Sequence, residues 1–260
     1  MRLPAAARTR ALERREHPVA RVVGLAGLLV LWELITRTGL VSSLFLPSPL
    51  GVLAEGWAMA RSGQLVVHLA TSLERLAWGF GIGALAGIGV GVAVGFFSLA
   101  DAVVQPLIAA TFPIPKIALL PLFILWFGIG ESSKVATIAL GVFFPTVISA
   151  YSAVDNVPRN LIRMGQSFGV PAASIVAKIV LPGAMPGILA GFRISSSIAL
   201  ILVVAAEMIG AEYGIGAFIL AAGNLMQTDQ LVAGVVVLSI LGLAISVVLG
   251  RIERRVLRWR

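Results

Sequence analysis

From Leu73 to Leu249 the chain is apolar almost throughout, and one polar, basic stretch interrupts it: residues 155–182, DNVPRNLIRMGQSFGVPAASIVAKIVLP. Long apolar segments of this kind leave bilayer-spanning helices as the fold, because about 20 residues of helix cross the hydrocarbon core. A chain so apolar has little reason to keep a polar loop with Pro158, Pro171, Gly169 and a closing Leu181-Pro182 unless something outside the bilayer grips it.

Composition agrees. The 260 residues are 58% hydrophobic and 12% charged, whereas soluble domains carry about 25% charged residues. The length holds roughly five to seven spans of about 20 residues and no large soluble domain. The net positive charge is confined to the ends. Residues 1–21 carry six Arg against two Glu, residues 251–260 five Arg against one Glu, and the rest balances at nine against nine. Cytoplasmic segments are the basic ones, so both tails are expected in the cytoplasm and the number of spans is expected to be even. The balanced middle leaves no basic face for nucleic acid. Absence of cysteine excludes disulfides and thiolate metal sites, and His17 and His68 with no paired acid motif at mid-span leave neither a metal site nor nucleophilic chemistry.

The expected fold is all-α and polytopic, with six spans: Val22–Ile35, Leu73–Phe97, Val103–Phe127, Val135–Val154, Gly187–Ile209 and Leu231–Leu249. The first resembles a signal peptide in its Arg-rich flank but has no clear cleavage site, so an uncleaved span is expected. Leu46-Pro47-Ser48-Pro49 belongs to an outer connection, with a short amphipathic helix near Gly51–Met59. In the second span Gly79, Gly83, Gly87, Gly91 and Gly95 recur every fourth residue, a smooth helix stripe that admits close approach of another helix. Gly81–Ala86 matches a dinucleotide fingerprint, but no strand precedes it. The third span is broken by Pro106, Pro113, Pro115 and Pro121, which membranes tolerate only where backbone is packed in protein or lines a cavity. Residues 128–134 read as an outer turn, and 210–229, with Glu212 and Asp229 and no Lys or Arg, as an outer connection.

Three charges fall in apolar surroundings. Lys116 either snorkels or pairs with a carboxylate, or it lines a polar pathway for an anion. Glu207, which at mid-bilayer would cost about 2.5–3.5 kcal/mol, is either a structural ion partner of Arg193 or Lys116 in the same or a paired chain, or part of a gate or solute path. Arg193 reaches headgroups or faces the pathway. An ion-gradient carrier would suit these charges, but the internal repeat common in carriers is not evident.

Within 155–182, Pro158 suits a first helical turn and Gly169 a left-handed stop. Between them Leu161, Ile162, Met164 and Phe168 are apolar, and Arg159, Arg163 and Gln166 polar. A second helix is expected from Pro171, with Ile175, Val176 and Ile179 on its apolar side, ended by Leu181-Pro182. The element either docks a cytoplasmic partner or lies on headgroups as a connector.

Gly169 followed by Ile179-Val180-Leu181-Pro182-Gly183-Ala184-Met185-Pro186-Gly187-Ile188 resembles the cytoplasmic EAA loop of type I ABC importer permeases. Leu46–Pro49, Pro121-Leu122, Leu125–Gly130, Phe143-Phe144-Pro145 and Ala206–Gly210 are similar to the nitrate/sulfonate/taurine branch of that family. The family's Glu-Ala-Ala falls at Arg163-Met164-Gly165, where none of the three matches and a guanidinium replaces the carboxylate. The resemblance implies an inner-membrane permease that transports a small solute and is not itself an enzyme. Its parts would be a basic cytoplasmic tail (1–21), a membrane domain (22–250) with its coupling loop (155–182), and a second basic tail (251–260). Residues implied in ATPase coupling are Arg159, Arg163, Met164, Gly165, Phe168, Gly169, Leu181 and Pro182. Implied partners are two ATPase subunits, which bind the ATP this chain does not, a second permease copy, an external solute-binding protein and lipid.

Overall fold

The computed structural model describes residues 18–259; most of the first basic tail, with His17, lies outside them. The chain is all-helical: α1 (Pro18–Arg37), α2 (Pro49–Arg61), α3 (Gln64–Phe96), α4 (Ser98–Thr111), a 3-10 turn (Lys116–Leu119) leading into α5 (Leu120–Phe127), α6 (Glu131–Asp155), α7 (Arg159–Ser167), α8 (Ala172–Ile175), α9 (Leu181–Gly210), α10 (Ile215–Asn224) and α11 (Thr228–Val256). Among the described residues four helices are long and apolar enough to cross a membrane: α3, α6, the run from Ala172 to Gly210, and α11. A fifth span results if α4 and the segment Lys116–Phe127, bent by 89° at the break, count together. The expected first span falls on α1.

The α3 sequence carries glycines that would weaken a helix in water. In a bilayer every backbone N–H must be bonded within the chain, so helix is retained and the glycines serve packing. A methyl group on Gly79 would fall 2.6 Å from Ile138, on Gly87 2.8 Å from Thr146 and 2.9 Å from the Phe143 carbonyl, and on Gly95 2.6 Å from Val154. Gly83 and Gly91 meet Val142 and Ala150 in the same way, while Gly81 and Gly89, off the stripe, meet nothing within 4 Å. The four-residue ladder of α3 thus interlocks with a four-residue ladder on α6.

Both ladders ascend in the same order, so α3 and α6 are parallel. The chain between Phe97 and Glu131 must therefore retrace the length of the bundle, and the broken span does so. Packed antiparallel to α6 is α9: Gly187 faces Ala153, Gly191 faces Ser149, and Gly141 receives Leu202. Thr146 and Ser195 share a hydrogen bond of 2.9 Å across this interface. Along the other side of α9 runs α11, again antiparallel, with Gly242 beside Leu200 and Gly250 beside Arg193.

The structure corrects two expectations and adds detail to a third. Leu181-Pro182 does not end a helix: the chain stays helical from Ala172 to Gly210 through a π turn at Val176–Val180. There the Leu181 N–H reaches back five residues to the Val176 carbonyl, and the wider turn carries the helix past Pro182, which has no N–H to donate. The outer turn at 128–134 is shorter than expected, because Glu131 already opens α6. The connection 210–229 contains α10, whose Ile215, Gly216, Ala217, Ile219 and Ala222 are buried.

Candidate functional site

At one end of the bundle, residues 155–182 fold back as a hairpin. Arg251, Arg254 and Arg255 close α11 toward the same end, where Glu253 among them bonds Arg193, the thirteenth residue of α9, at 2.6 Å. Pro158 stands at the entry of α7, where its missing N–H costs nothing. Gly169 ends it at φ +70°, with Gly169 N–H donating to the Gln166 carbonyl and Val170 N–H to the Gly165 carbonyl, each at 3.0 Å. This is a left-handed helix stop. Gly165 is buried against Ile175 and Ile179, where even a Cβ would sit 3.2 Å from Ile175.

The hairpin is fastened to the spans. Val157, Ile175 and Val180 form one core cluster with Ala150, Ala153 and Val154 of α6 and Ala184 and Ile188 of α9, and Ile162 and Ile179 pack against it. A push on α7 therefore reaches α6 and α9 through close-packed side chains rather than through a slack loop. Outward, Met164 and Phe168 are exposed, Phe168 at 80%. Arg159 pairs with Asp155 at 2.5 Å; Arg163 pairs with no carboxylate among the described residues. Arg159, Ile162, Arg163 and Gln166 border a groove of about 470 Å³ against the α3–α4 corner, Gly95–Leu99. Leu181 is half-buried and Pro182 exposed, both at the foot of α9.

At the opposite end lies a polar network that sequence reasoning passes over. Its centre is Arg75 of α3, 3% exposed. Nε and Nη2 donate to Glu131, the first residue of α6, at 2.5 and 2.6 Å. Nη1 donates to Glu207 of α9 at 2.9 Å and to the Tyr213 carbonyl at 2.7 Å. Glu207, 1% exposed, also accepts from Ser72 Oγ at 2.8 Å and from the Gly216 N–H at 2.8 Å. Gly214, at φ +132°, lies so close to the Glu207 carboxylate that no side chain fits. Lys134 adds a second cation 3.9 Å from Glu131. Two cations and two carboxylates balance, and α3, α6, α9 and α10 are joined at one point. The overlooked signal was an arginine within the apolar second span, which demands a buried anion.

Glu207 is therefore an ion partner, but of Arg75 and not of Arg193 or Lys116 in this chain. Arg193 is taken by Glu253. Lys116 donates its Nζ to the carbonyls of Thr111, Phe112 and Ile114 at 2.7, 3.0 and 2.7 Å, and lies 4.4 Å from the Phe144 ring centre. An ammonium has three donors, and all three are engaged at the 89° break, by the last carbonyl of α4 and by those of Phe112 and Ile114 just past it.

Comparison with known proteins fits this architecture. Residues 80–258 match the family described as binding-protein-dependent transport system inner membrane component. The chain is 37% identical over 240 residues to the taurine transport system permease protein TauC of Escherichia coli (strain K12), covering 90% of this chain and 87% of that one. It is 34% identical over 235 residues to the putative aliphatic sulfonates transport permease protein SsuC of Bacillus subtilis (strain 168), covering 90% and 85%. The fold is similar to a chain in inward-facing structures of the MetNI methionine ABC transporter, with TM-score 0.65, 23% identity, and 77% and 96% of the two chains covered.

Proposed function

The chain belongs to the binding-protein-dependent transport system inner membrane components, and on that premise we propose that it forms the solute pathway of an ATP-driven importer for a small sulfonate-, taurine- or nitrate-type anion. A separate ATPase would supply the energy and an external binding protein the solute. Relatives named for taurine and aliphatic sulfonates support the solute class. The observation that carries the coupling assignment is the hairpin of α7 and α8: exposed on its outer side, cored into α6 and α9 on its inner side, and toward the same end of the bundle as the basic last turn of α11.

In this reading both tails are cytoplasmic, α1 and the broken span complete six spans, and two copies of the chain pair to enclose the path. One ATPase subunit binds each hairpin. Met164 and Phe168 enter an apolar recess, Gly165 and Gly169 keep the hairpin tight, and Leu181-Pro182 passes its motion into α9. Arg163 faces a carboxylate of the partner. Lys116 and Glu207 act by holding the shape of the path, and Arg193 by fixing α9 to α11. The test is uptake into vesicles containing the chain with its ATPase and binding protein: accumulation should require ATP and stop with vanadate. Uphill uptake by the chain alone without ATP would overturn the proposal.

A further inference from the structure

We propose that the cavity between α4 and α6 is a station on the solute path, and that it holds a small zwitterion carrying a sulfonate and an amino group. The cavity measures about 250 Å³ and is walled by Val94 of α3, Gln105 and Ala109 of α4, and Val147, Tyr151 and Ser152 of α6. Drug-sized ligands take pockets of about 300 Å³ upward, so the occupant is small. Gln105, Tyr151 and Ser152 are the polar groups in an otherwise apolar wall. Among the described residues none of these three side chains has a hydrogen-bond partner; only the Ser152 carbonyl is engaged, by Asn156 at 2.7 Å. An amide and two hydroxyls offer donors. A lipid chain would leave them unmatched, whereas a sulfonate presents only acceptors. Neutral donors also release an anion readily, as a site along a path must.

Asp101 supplies the other half of the recognition. Ser98, Asp101, Gln105 and Ile108 are spaced three or four residues apart and share one face of α4. Ser98 lines the groove beside the hairpin, Gln105 and Ile108 line the cavity, and Asp101 stands between them. Its Oδ1 is buried with no hydrogen-bond partner, and a carboxylate oxygen so placed calls for a donor. It repels a plain anion seated one turn away and attracts an ammonium. Residues four apart on a helix stand about 5–6 Å between Cβ atoms, a gap that a two-carbon aminosulfonate bridges. On the same turn of α6 as Tyr151 and Ser152, Ala150, Ala153 and Val154 belong to the core that anchors the hairpin, so motion of α7 reaches the cavity wall directly. The station rests on the importer reading for its place on a path, and not for its binding of the zwitterion.

The full chain has no cysteine, so Ala109→Cys places a single reporter in the cavity wall, with Ile129→Cys, exposed at the opposite end, as control. In lipid nanodiscs, the rate of modification by a charged, membrane-impermeant methanethiosulfonate is measured with taurine or isethionate present. Taurine should slow the reaction at position 109 and leave position 129 unchanged. Isethionate, the same skeleton with hydroxyl in place of ammonium, should need a concentration roughly three- to tenfold higher for equal protection. Asp101→Asn should abolish that difference, and Tyr151→Phe should weaken protection by both probes. No modification at position 109 would mean that lipid or a second copy fills the cavity, and would overturn the station. Absent protection, equal protection by the two probes in the parent, or a taurine preference that survives Asp101→Asn would overturn it too. A second arm adds the ATPase and ATP. Taurine protection with a rate at position 109 that nucleotide leaves unchanged would keep the binding site and remove the importer reading; a nucleotide-dependent rate without protection would do the reverse.

Discussion

Gly87 of α3 faces Thr146 of α6 with room for nothing but hydrogen: a Cβ would lie 2.8 Å from the Thr146 Cβ. Thr146 in turn bonds Ser195 of α9 at 2.9 Å. One glycine thus sets the spacing of three helices, and the polar link beyond it depends on that spacing.

Gly87→Val should lower the melting temperature in detergent and the yield of folded protein, since overpacking costs about 1–3 kcal/mol or more. Gly89→Val, two residues along and facing open space, should leave both near the parent. Equal melting curves for the two variants would refute the ladder as the α3–α6 contact.

Gly169→Val forces a β-branched residue into left-handed backbone, at a cost of roughly 1–2 kcal/mol. The protein should insert normally, because the spans do not contain the turn. ATP-dependent uptake and co-purification of the ATPase should both fall. Normal transport with the partner retained would remove the hairpin from the coupling role.

Arg163→Glu should weaken ATPase binding about two- to tenfold by turning an attractive exposed pair into a repulsive one. Arg163→Lys should keep most of it, and added salt should narrow the difference. If Arg163→Glu instead reduces contact with anionic vesicles and leaves ATPase binding intact, this face of α7 serves headgroups.

Lys116→Met should lower thermal stability by about 1.5–3 kcal/mol, the range for hydrogen bonds from a charged donor. Uptake of charged and uncharged solutes should fall alike, because the ammonium is spent on backbone carbonyls at the break after α4. A loss confined to anionic solutes, measured as initial uptake rates, would return Lys116 to the pathway.

Glu207→Gln should be more harmful than Glu131→Gln in yield of folded protein. Breaking a buried pair costs about 3–5 kcal/mol, whereas the pair with the exposed carboxylate lies nearer the small worth of surface pairs. Comparable yields would mean that Glu207 is wetter than its packing indicates.

Much of the fold was legible in the chain. The glycine spacing pointed to a packing stripe, the prolines to a broken third span, and Pro158 and Gly169 to the bounds of α7. The misses share a cause. Helix α10 is ten residues long and apolar, too short for a span and indistinguishable in pattern from a buried connection. Proline after Leu181 reads as a stop because local rules do not foresee a π turn. Arg75 is separated from Glu131 and Glu207 by 56 and 132 residues, and nothing local pairs them.

The sequence by itself determined what a bilayer enforces locally: helices where apolar residues run on, and breaks where proline removes a donor. Hydrocarbon leaves the backbone no other way to satisfy its polar groups, so these features need no knowledge of neighbours. Only the tertiary structure decided which charges meet. Helix faces far apart in the chain are brought together by close packing, and the choice of Arg75 over Lys116 or Arg193 as the partner of Glu207 is a matter of that three-dimensional register.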